Sequence, residues 1–208
     1  MKKFELTSEF VTNIFGTKLF RIKALVEFGN VEAGELGGYI EKEENLDHDG
    51  NAWVYGDARV YGNARVYGNA RVYGNARVCG NAWVYGDAEV YGNARVCGNA
   101  RVCGDARVYG DAEVYGDAEV YGDAEVYGDA RVCGDADYAY AHGFGSINRT
   151  TTFFRLKDGG VGVRCGCFYG TLGEFREKVQ ETHGDGKLAQ EYLMLADLME
   201  LRFTKEEG

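Results

Sequence analysis

The stretch VYGNARVYGNARVYGNARVCG, residues 60–80, repeats one six-residue unit with almost no variation. Glycine recurs at every sixth position from Gly50 to Gly134, which gives fifteen consecutive hexads of the form Gly-[Asn/Asp]-Ala-x-Val-[Tyr/Cys]. A helix of about 3.6 residues per turn cannot keep a strict six-residue repeat on one face, whereas a short strand followed by a turn can. The Gly-Asn or Gly-Asp pair suits that turn because both residue types tolerate positive φ. The repeat therefore predicts short strands separated by tight corners.

The alternation within each hexad predicts which side chains face inward. Ala and Val alternate along the strand with the x residue and Tyr, so the two pairs point to opposite sides. We expect Ala and Val inside, since the reverse arrangement would bury a charge in almost every hexad. One hexad cannot bury its apolar side alone, and a short fixed period of this kind indicates stacking into a parallel β-helix.

The pattern Val-Tyr-Gly-[Asn/Asp]-Ala-Arg resembles the hexapeptide repeat of left-handed parallel β-helices. In that family three hexads form one triangular coil of about 18 residues. The resemblance implies that the coils are triangular and left-handed. With the segments on either side of the repeat, we predict an all-β left-handed parallel β-helix of about five coils with an N-terminal cap and a small α+β C-terminal module. We place the cap at residues 1–35, the β-helix at 36–146 and the module, with two strands and two helices, at 147–208.

Residues one coil apart should lie directly above one another, which assigns the outward side chains to three faces. One face carries a ladder of tyrosines beside alternating Arg and Glu, a second carries a column of arginines, and Trp53 and Trp83 are expected at the surface. Tyr and Arg are enriched at binding hot spots, so these two faces hold the predicted binding residues. They are Tyr55, Tyr73, Tyr91, Tyr109 and Tyr127 with Arg71 and Arg107 on the first face, and Arg59, Arg77 and Arg95 on the second.

Such a tyrosine stripe is larger than monomers usually leave exposed, and β-helices of this family commonly trimerise through flat faces. We therefore expect a homo-oligomer, with a trimer favoured. The alternative is that the stripe binds a host protein, or a planar anionic ligand such as a nucleotide by stacking and Arg contact.

Composition excludes several classes of partner. A net charge of −10 opposes binding to a phosphate backbone, so nucleic acid is not expected. No stretch approaches the length of apolar sequence that crosses a membrane, and the start MKKFELTSEF lacks the apolar core of a secretory signal, so a cytoplasmic location is expected. Four of the six cysteines occupy the Tyr position of the repeat, and in a reducing cytoplasm we expect free thiols.

The segments outside the repeat predict the two ends. Alternating apolar residues at 19–25 and the sequence LGGYI at 36–40 indicate an N-terminal cap that leads into the first coil. Asp158-Gly159-Gly160 predicts a hairpin turn between two strands. Thr171 and Glu174 form a capping box for a helix ending at Gly184, and a last helix is expected at 187–203.

Three motifs together resemble a family of hexapeptide-repeat proteins carried by phages and prophages: the lead-in LGGYIE at 36–41, the hexads at 50–137 and the tail CGCF-GT-THGD between 165 and 185. The resemblance implies a phage-type accessory protein that acts on the host, and it implies no established reaction.

Little in the sequence predicts chemistry. Hexapeptide acyltransferases use a coil histidine and a projecting loop, but these hexads contain neither, and only His48, His142 and His183 occur in the chain. Cys165 and Cys167 with His183 are too few ligands for a metal site, so packing is the favoured role. The corner aspartates are expected to be solvated, with weak Ca²⁺ sites along an edge as the alternative.

We therefore predict a non-enzymatic oligomeric binding scaffold without catalytic residues, metal or cofactor. Two alternatives stay open. One is a counter-defence sponge that sequesters a nucleotide immune signal of the host, and the other is a hexapeptide-type acyltransferase working at a subunit cleft.

Overall fold

The computed structural model describes residues 1–145 and 148–204 and shows a β-solenoid of about five turns with an 18-residue repeat. An antiparallel N-terminal cap covers one end, and an antiparallel sheet with two helices covers the other. The predicted stacking of hexads is confirmed. No helix in the described ranges is both long and apolar enough to span a bilayer.

The N-terminal cap consists of three antiparallel strands and a short 3-10 turn at Glu43–Asn45. Gly37 and Gly38 explain the LGG sequence, because a Cβ at either position would lie 2.6 Å from a backbone carbonyl oxygen of the solenoid. The strands are β1 (Phe4–Thr12), β2 (Lys18–Ala24) and β3 (Leu36–Ile40).

The solenoid strands are two residues long and always fall on the x and Val positions of the hexad. They are β4 (Trp53–Val54), β5 (Arg59–Val60), β6 (Arg65–Val66), β7 (Arg71–Val72), β8 (Arg77–Val78), β9 (Trp83–Val84), β10 (Glu89–Val90), β11 (Arg95–Val96), β12 (Arg101–Val102), β13 (Arg107–Val108), β14 (Glu113–Val114), β15 (Glu119–Val120), β16 (Glu125–Val126) and β17 (Arg131–Val132).

These strands form three parallel sheets, one per face. β3 continues the first sheet, in the order β3-β5-β8-β11-β14-β17, and so joins the cap to the solenoid. The other two run β4-β7-β10-β13-β16 and β6-β9-β12-β15. Every hexad Ala and Val from Ala52 to Val132 is 0% exposed, which confirms the predicted inward pair.

Each corner from Gly50 to Gly128 is made by a glycine with positive φ followed by Asn or Asp, whereas Gly134, the last glycine of the repeat, has an extended backbone. The Asn side chains form ladders up the corners: Asn81 Nδ2 donates to Asn99 Oδ1 at 2.9 Å, and Asn99 Nδ2 donates to Asp117 Oδ1 at 2.8 Å. Asp can accept in such a ladder but cannot donate onward, so a ladder ends where Asp takes over.

Trp53 does not lie at the surface, and that prediction is wrong. It is 0% exposed because the cap closes over the first turn, with Phe28 5.3 Å and Phe4 6.2 Å from it between ring centroids. Trp83, five hexads after Trp53, is 39% exposed as predicted.

The cysteines of the repeat are not all free, which corrects the expectation of free thiols. Cys79 and Cys97 occupy the same position of adjacent turns, with Cα atoms 4.6 Å apart, and they form a disulfide. Register is the physical reason, because residues 18 apart are stacked neighbours. Cys103, Cys133, Cys165 and Cys167 are free.

The C-terminal module packs two helices on a four-stranded antiparallel sheet, which has two strands more than expected. The predicted boundary after residue 146 lies outside the described residues, and the sheet already includes Tyr138. The predicted hairpin turn, capping box, Gly184 cap and last helix are confirmed. The elements are a 3-10 turn (Asp135–Asp137), β18 (Tyr138–Phe144), β19 (Arg149–Arg155), β20 (Val161–Cys165), β21 (Phe168–Thr171), α1 (Leu172–His183) and α2 (Lys187–Phe203).

Lys3 binds the first solenoid turn through its side chain, and its burial should make the stability of the fold depend on pH. It is 3% exposed, and its Nζ donates to the carbonyl oxygens of Ala52 at 3.0 Å and Gly50 at 3.3 Å. Burial lowers the pKa of Lys3 to about 8, although the Asp47 and Asp49 carboxylates partly oppose the shift. The pKa of an unfolded lysine is about 10.4.

Between these two pKa values the unfolded chain binds the Lys3 proton more tightly than the folded chain, so the free energy of unfolding should rise with pH across this window. Tyrosines with a raised pKa, such as Tyr73 and Tyr109, act in the opposite sense near pH 10, so the comparison is between variants. We expect the urea midpoint of the wild type to increase relative to that of Lys3→Met between pH 7.5 and pH 9.5. An unchanged difference between the two proteins would contradict the assignment to Lys3.

Candidate functional site

The first face carries the predicted tyrosine ladder. The rings of Tyr73, Tyr91 and Tyr109 stack with centroids 4.7 Å apart and interplanar angles of 2° and 8°. Tyr127 continues the stack at 4.4 Å, while Tyr55 packs against the core beneath the cap. The rings of Tyr91 and Tyr109 are thus covered on both faces by their neighbours, so these two tyrosines offer no open face to a planar ligand.

The polar groups of this face satisfy one another. Arg71 and Arg107 lie 3.8 Å from the Glu89 carboxylate, and Arg107 also lies 3.6 Å from Glu125. The Tyr73 hydroxyl donates to Glu89 at 3.2 Å, and the Tyr109 hydroxyl donates to Glu125 at 3.0 Å. The Arg and Glu residues that alternate along this face in the sequence therefore form ion pairs between adjacent turns.

Electrostatics keep these tyrosines neutral. Burial, and next the Glu89 carboxylate, raise the pKa of Tyr73. Burial and Glu125 do the same to the pKa of Tyr109. A phenol with a raised pKa stays protonated, donates a hydrogen bond and is a poor base. The tyrosines of this face therefore stabilise the stacked turns and are not suited to acid–base catalysis.

Two residues of the C-terminal module complete the ladder, and sequence reasoning missed both. Arg164 donates to Glu125 at 2.8 Å and lies over the Tyr127 ring at 5.6 Å, while Tyr169 meets the same ring edge-on at 4.8 Å. Neither residue belongs to the repeat, so the 18-residue register carried no signal for them.

The second face carries the arginine column. Arg59, Arg77 and Arg95 are direct register partners on β5, β8 and β11. They line a shallow groove of about 380 Å³ together with the corner residues Asp57, Asn75 and Asn93. Adjacent strands lie about 4.8 Å apart, so the three guanidinium groups rise from a line about 10 Å long.

The arginine column differs from the first face in its pairing. Arg95 lies 3.6 Å from the Glu113 carboxylate of the turn above. The side chains of Arg59 and Arg77 have no hydrogen bond or ion pair with any residue in the described part of the chain. Two like charges 4 Å apart in water repel by about 1 kcal/mol. Repulsion between the stacked guanidinium groups therefore destabilises the column, and a bound anion would offset this repulsion.

The third face is mixed. Tyr67 and Tyr85 stack at 4.9 Å, and Arg101 lies 5.5 Å over the Trp83 ring while pairing with Glu119 at 2.6 Å. A cavity of about 540 Å³ separates this face from the 3-10 turn of the cap, and its lining mixes Trp83 and Tyr67 with Glu44 and Asp47. Acidic and basic groups both line this cavity, so its charge favours no single ligand class.

The three histidines have separate neighbourhoods. His48 accepts from the Lys3 backbone N–H and stacks on Phe4 at 4.4 Å. His142 contacts Thr150 at 2.8 Å, and His183 stacks on Tyr192 at 5.8 Å. No three His, Cys, Asp or Glu side chains in the described ranges are arranged to hold a metal.

The repeat region matches the protein-family model described as the YdcK Beta solenoid repeat in seven overlapping windows. They are residues 52–68, 58–74, 64–80, 70–86, 88–104, 94–110 and 100–116. The match covers solenoid turns and neither cap, so it shows similarity in the repeat. None of the curated proteins matches the chain.

Proposed function

We propose that this protein is a non-enzymatic oligomeric binding scaffold that recognises a polyanionic ligand or host partner through the column of Arg59, Arg77 and Arg95. The observation that carries the proposal is the pairing difference between faces. Arg71 and Arg107 are neutralised by Glu, whereas Arg59 and Arg77 stand in register without a partner among the described residues. Arg groups held on stacked strands lose little entropy when they bind.

The ligand class follows from the geometry of the groove. Three guanidinium groups in a line match several acceptor oxygens spaced along a chain better than one compact anion. A groove of about 380 Å³ lies within the size range of small-ligand sites, which favours the second candidate, sequestration of a nucleotide signal of the host. A partner protein would instead present a row of carboxylates.

The oligomer belongs to the same proposal. The groove is shallow, and a second subunit placed along this face would turn it into an enclosed cleft whose lower dielectric strengthens each charged hydrogen bond. A trimer is the favoured state because the resemblance to hexapeptide-repeat β-helices implies it. The phage or prophage origin, and with it a role in counter-defence, is likewise inferred from the motifs 36–41, 50–137 and 165–185.

A charge-matched pair of double variants tests the proposal. Arg59→Gln with Arg77→Gln removes two guanidinium groups from the column, and Arg65→Gln with Arg101→Gln removes the same amount of charge from the third face. Inorganic tripolyphosphate and ATP are the probes, titrated calorimetrically into the full chain, with native mass spectrometry reporting the oligomer and any retained mass.

We expect the first pair to weaken binding of both probes at least about tenfold, which corresponds to roughly 1.4 kcal/mol, and the second to change it less than about twofold. Equal losses in the two double variants would show nonspecific charge attraction. Failure of the wild type to bind either probe would exclude a polyphosphate ligand, and a monomer in native mass spectra would contradict the oligomer.

A further inference from the structure

The tail motif CGCF…THGD, which the binding face does not explain, converges on a cavity of its own. Cys165 and Cys167 from β20 and the turn after it meet His183 from the end of α1, with Tyr192 of α2 beside them. The cavity measures about 250 Å³, and its floor is apolar, with Phe168 as one of its rings. We propose that this cavity binds a small organic acid, with Arg149 holding the carboxylate.

The glycine between the two cysteines explains how Arg149 is positioned. Gly166 has φ +59°, and a Cβ there would lie 1.5 Å from Arg149 Nη1. The guanidinium therefore rests directly on the Gly166 backbone, and a side chain at this position would displace it. The Cys165-Gly166-Cys167 sequence thus forms a turn and also leaves the space that the Arg149 guanidinium occupies.

The inner wall is held by hydrogen bonds that leave the arginine free for a ligand. Thr151 Oγ1 donates to Cys165 Sγ at 3.1 Å, and burial together with the adjacent Cys165 raises the pKa of Tyr192 to about 12. The Arg149 guanidinium has no ion pair or hydrogen bond with any residue that the structure describes.

The charge of the lining selects an anion. Arg149, Lys178 and His183 line the cavity, and no Asp or Glu does so among the described residues. Lys178 is partly neutralised by Glu181 at 2.7 Å on the outer rim. Asp123 and Glu125 share a neighbouring cavity with Arg149, but they lie against His142 and Arg164 respectively.

The apolar part of the lining favours a carboxylic acid over inorganic phosphate. Phe168, Phe175 and Val179 can contact a hydrocarbon portion, which phosphate lacks. The planar guanidinium fork also matches a carboxylate in bidentate geometry, and the apolar floor suits a short hydrocarbon or ring.

The test uses benzoate as the probe and benzamide as its neutral isostere, observed by saturation-transfer NMR on the full chain. Two matched pairs of variants distinguish loss of the binding site from loss of the fold. Arg149→Gln is compared with Arg131→Gln on the solenoid surface. Gly166→Ala is compared with Gly159→Ala, whose φ is also positive at +90° but whose added Cβ would meet nothing within 4 Å.

We expect benzoate to bind with a Kd of about 1 mM, and benzamide to bind at least about tenfold more weakly. Arg149→Gln and Gly166→Ala should each lose benzoate at least about tenfold, while both control variants keep it. If Arg149→Gln fails to fold, the comparison of benzoate binding by Gly166→Ala and Gly159→Ala tests the proposal.

Four outcomes would overturn the proposal. They are no benzoate signal from the wild type at about 10 mM, equal binding of benzamide, full retention of benzoate by both Arg149→Gln and Gly166→Ala, and displacement of benzoate by inorganic phosphate at equal concentration. The last would assign the cavity to a dianion. None of them bears on Arg59 and Arg77, which lie on the solenoid and are tested separately.

Discussion

Val90→Asp is expected to unfold the solenoid or to cost more than about 4 kcal/mol of its stability, the range that marks a buried unpaired charge. Val90 lies on β10 between Val72 and Val108 and is 0% exposed. Its neighbours inside the tube are the Ala and Val of the stacked turns, which offer a carboxylate no partner. The Asp side chain must therefore stay protonated or force the turns apart.

Urea unfolding followed by far-UV circular dichroism measures the effect. The control is Val90→Thr, which keeps the branched shape and adds one hydroxyl, and it should cost only about 1–3 kcal/mol. A Val90→Asp variant with the wild-type urea midpoint would mean that water reaches the tube interior, contrary to the dry core described above.

The interior could be predicted from sequence because every hexad meets the same surroundings. Ala88 and Val90 have Ala and Val at the same positions in the turns above and below. Assigning the inward-facing pair in one hexad therefore assigns it in every hexad. The same register places Tyr73 under Tyr91 and Arg71 under Glu89, and the structure agrees.

The register also contained information that was not used. Cys79 and Cys97 are 18 residues apart, so the rule that stacks the tyrosines predicts their contact as well. Arg59 and Arg77 have arginine one turn above them, whereas Arg95 has Glu113, so the difference in pairing within the column is visible in the sequence.

The ends could not be predicted in this way, because their contacts join residues that no period relates. Trp53 occupies a surface position of the hexad and is buried because the cap brings Phe4 and Phe28 over it. Arg149 and His183 lie far apart in sequence and reach one cavity through the packing of α1 on the C-terminal sheet. Such contacts depend on tertiary packing, which a local sequence pattern does not predict.

Three glycine-to-alanine variants should separate the two reasons for glycine at the corners. Gly98 has φ +75°, and a Cβ there would lie 2.8 Å from the Gly116 backbone nitrogen of the next turn. Gly56 has φ +58° with nothing within 4 Å of an added Cβ. Gly134 has φ −169° and equally open space, so it carries neither constraint.

We expect Gly56→Ala to cost about 1–2 kcal/mol, the penalty of a left-handed backbone for an L-residue. Gly98→Ala should cost about 3 kcal/mol or more, since the turn above must also move and strain the ladder bonds on both sides. Gly134→Ala should stay within about 0.5 kcal/mol of the wild type or gain slightly from reduced unfolded-state entropy.

Urea midpoints at unchanged slope measure the three costs on one scale. If Gly98→Ala and Gly56→Ala cost the same, the turns yield to a methyl group without loss, and φ alone explains the repeated glycine. If Gly98→Ala costs more, the glycine is needed for the close stacking of turns, and that same stacking is what brings Arg59, Arg77 and Arg95 into one column.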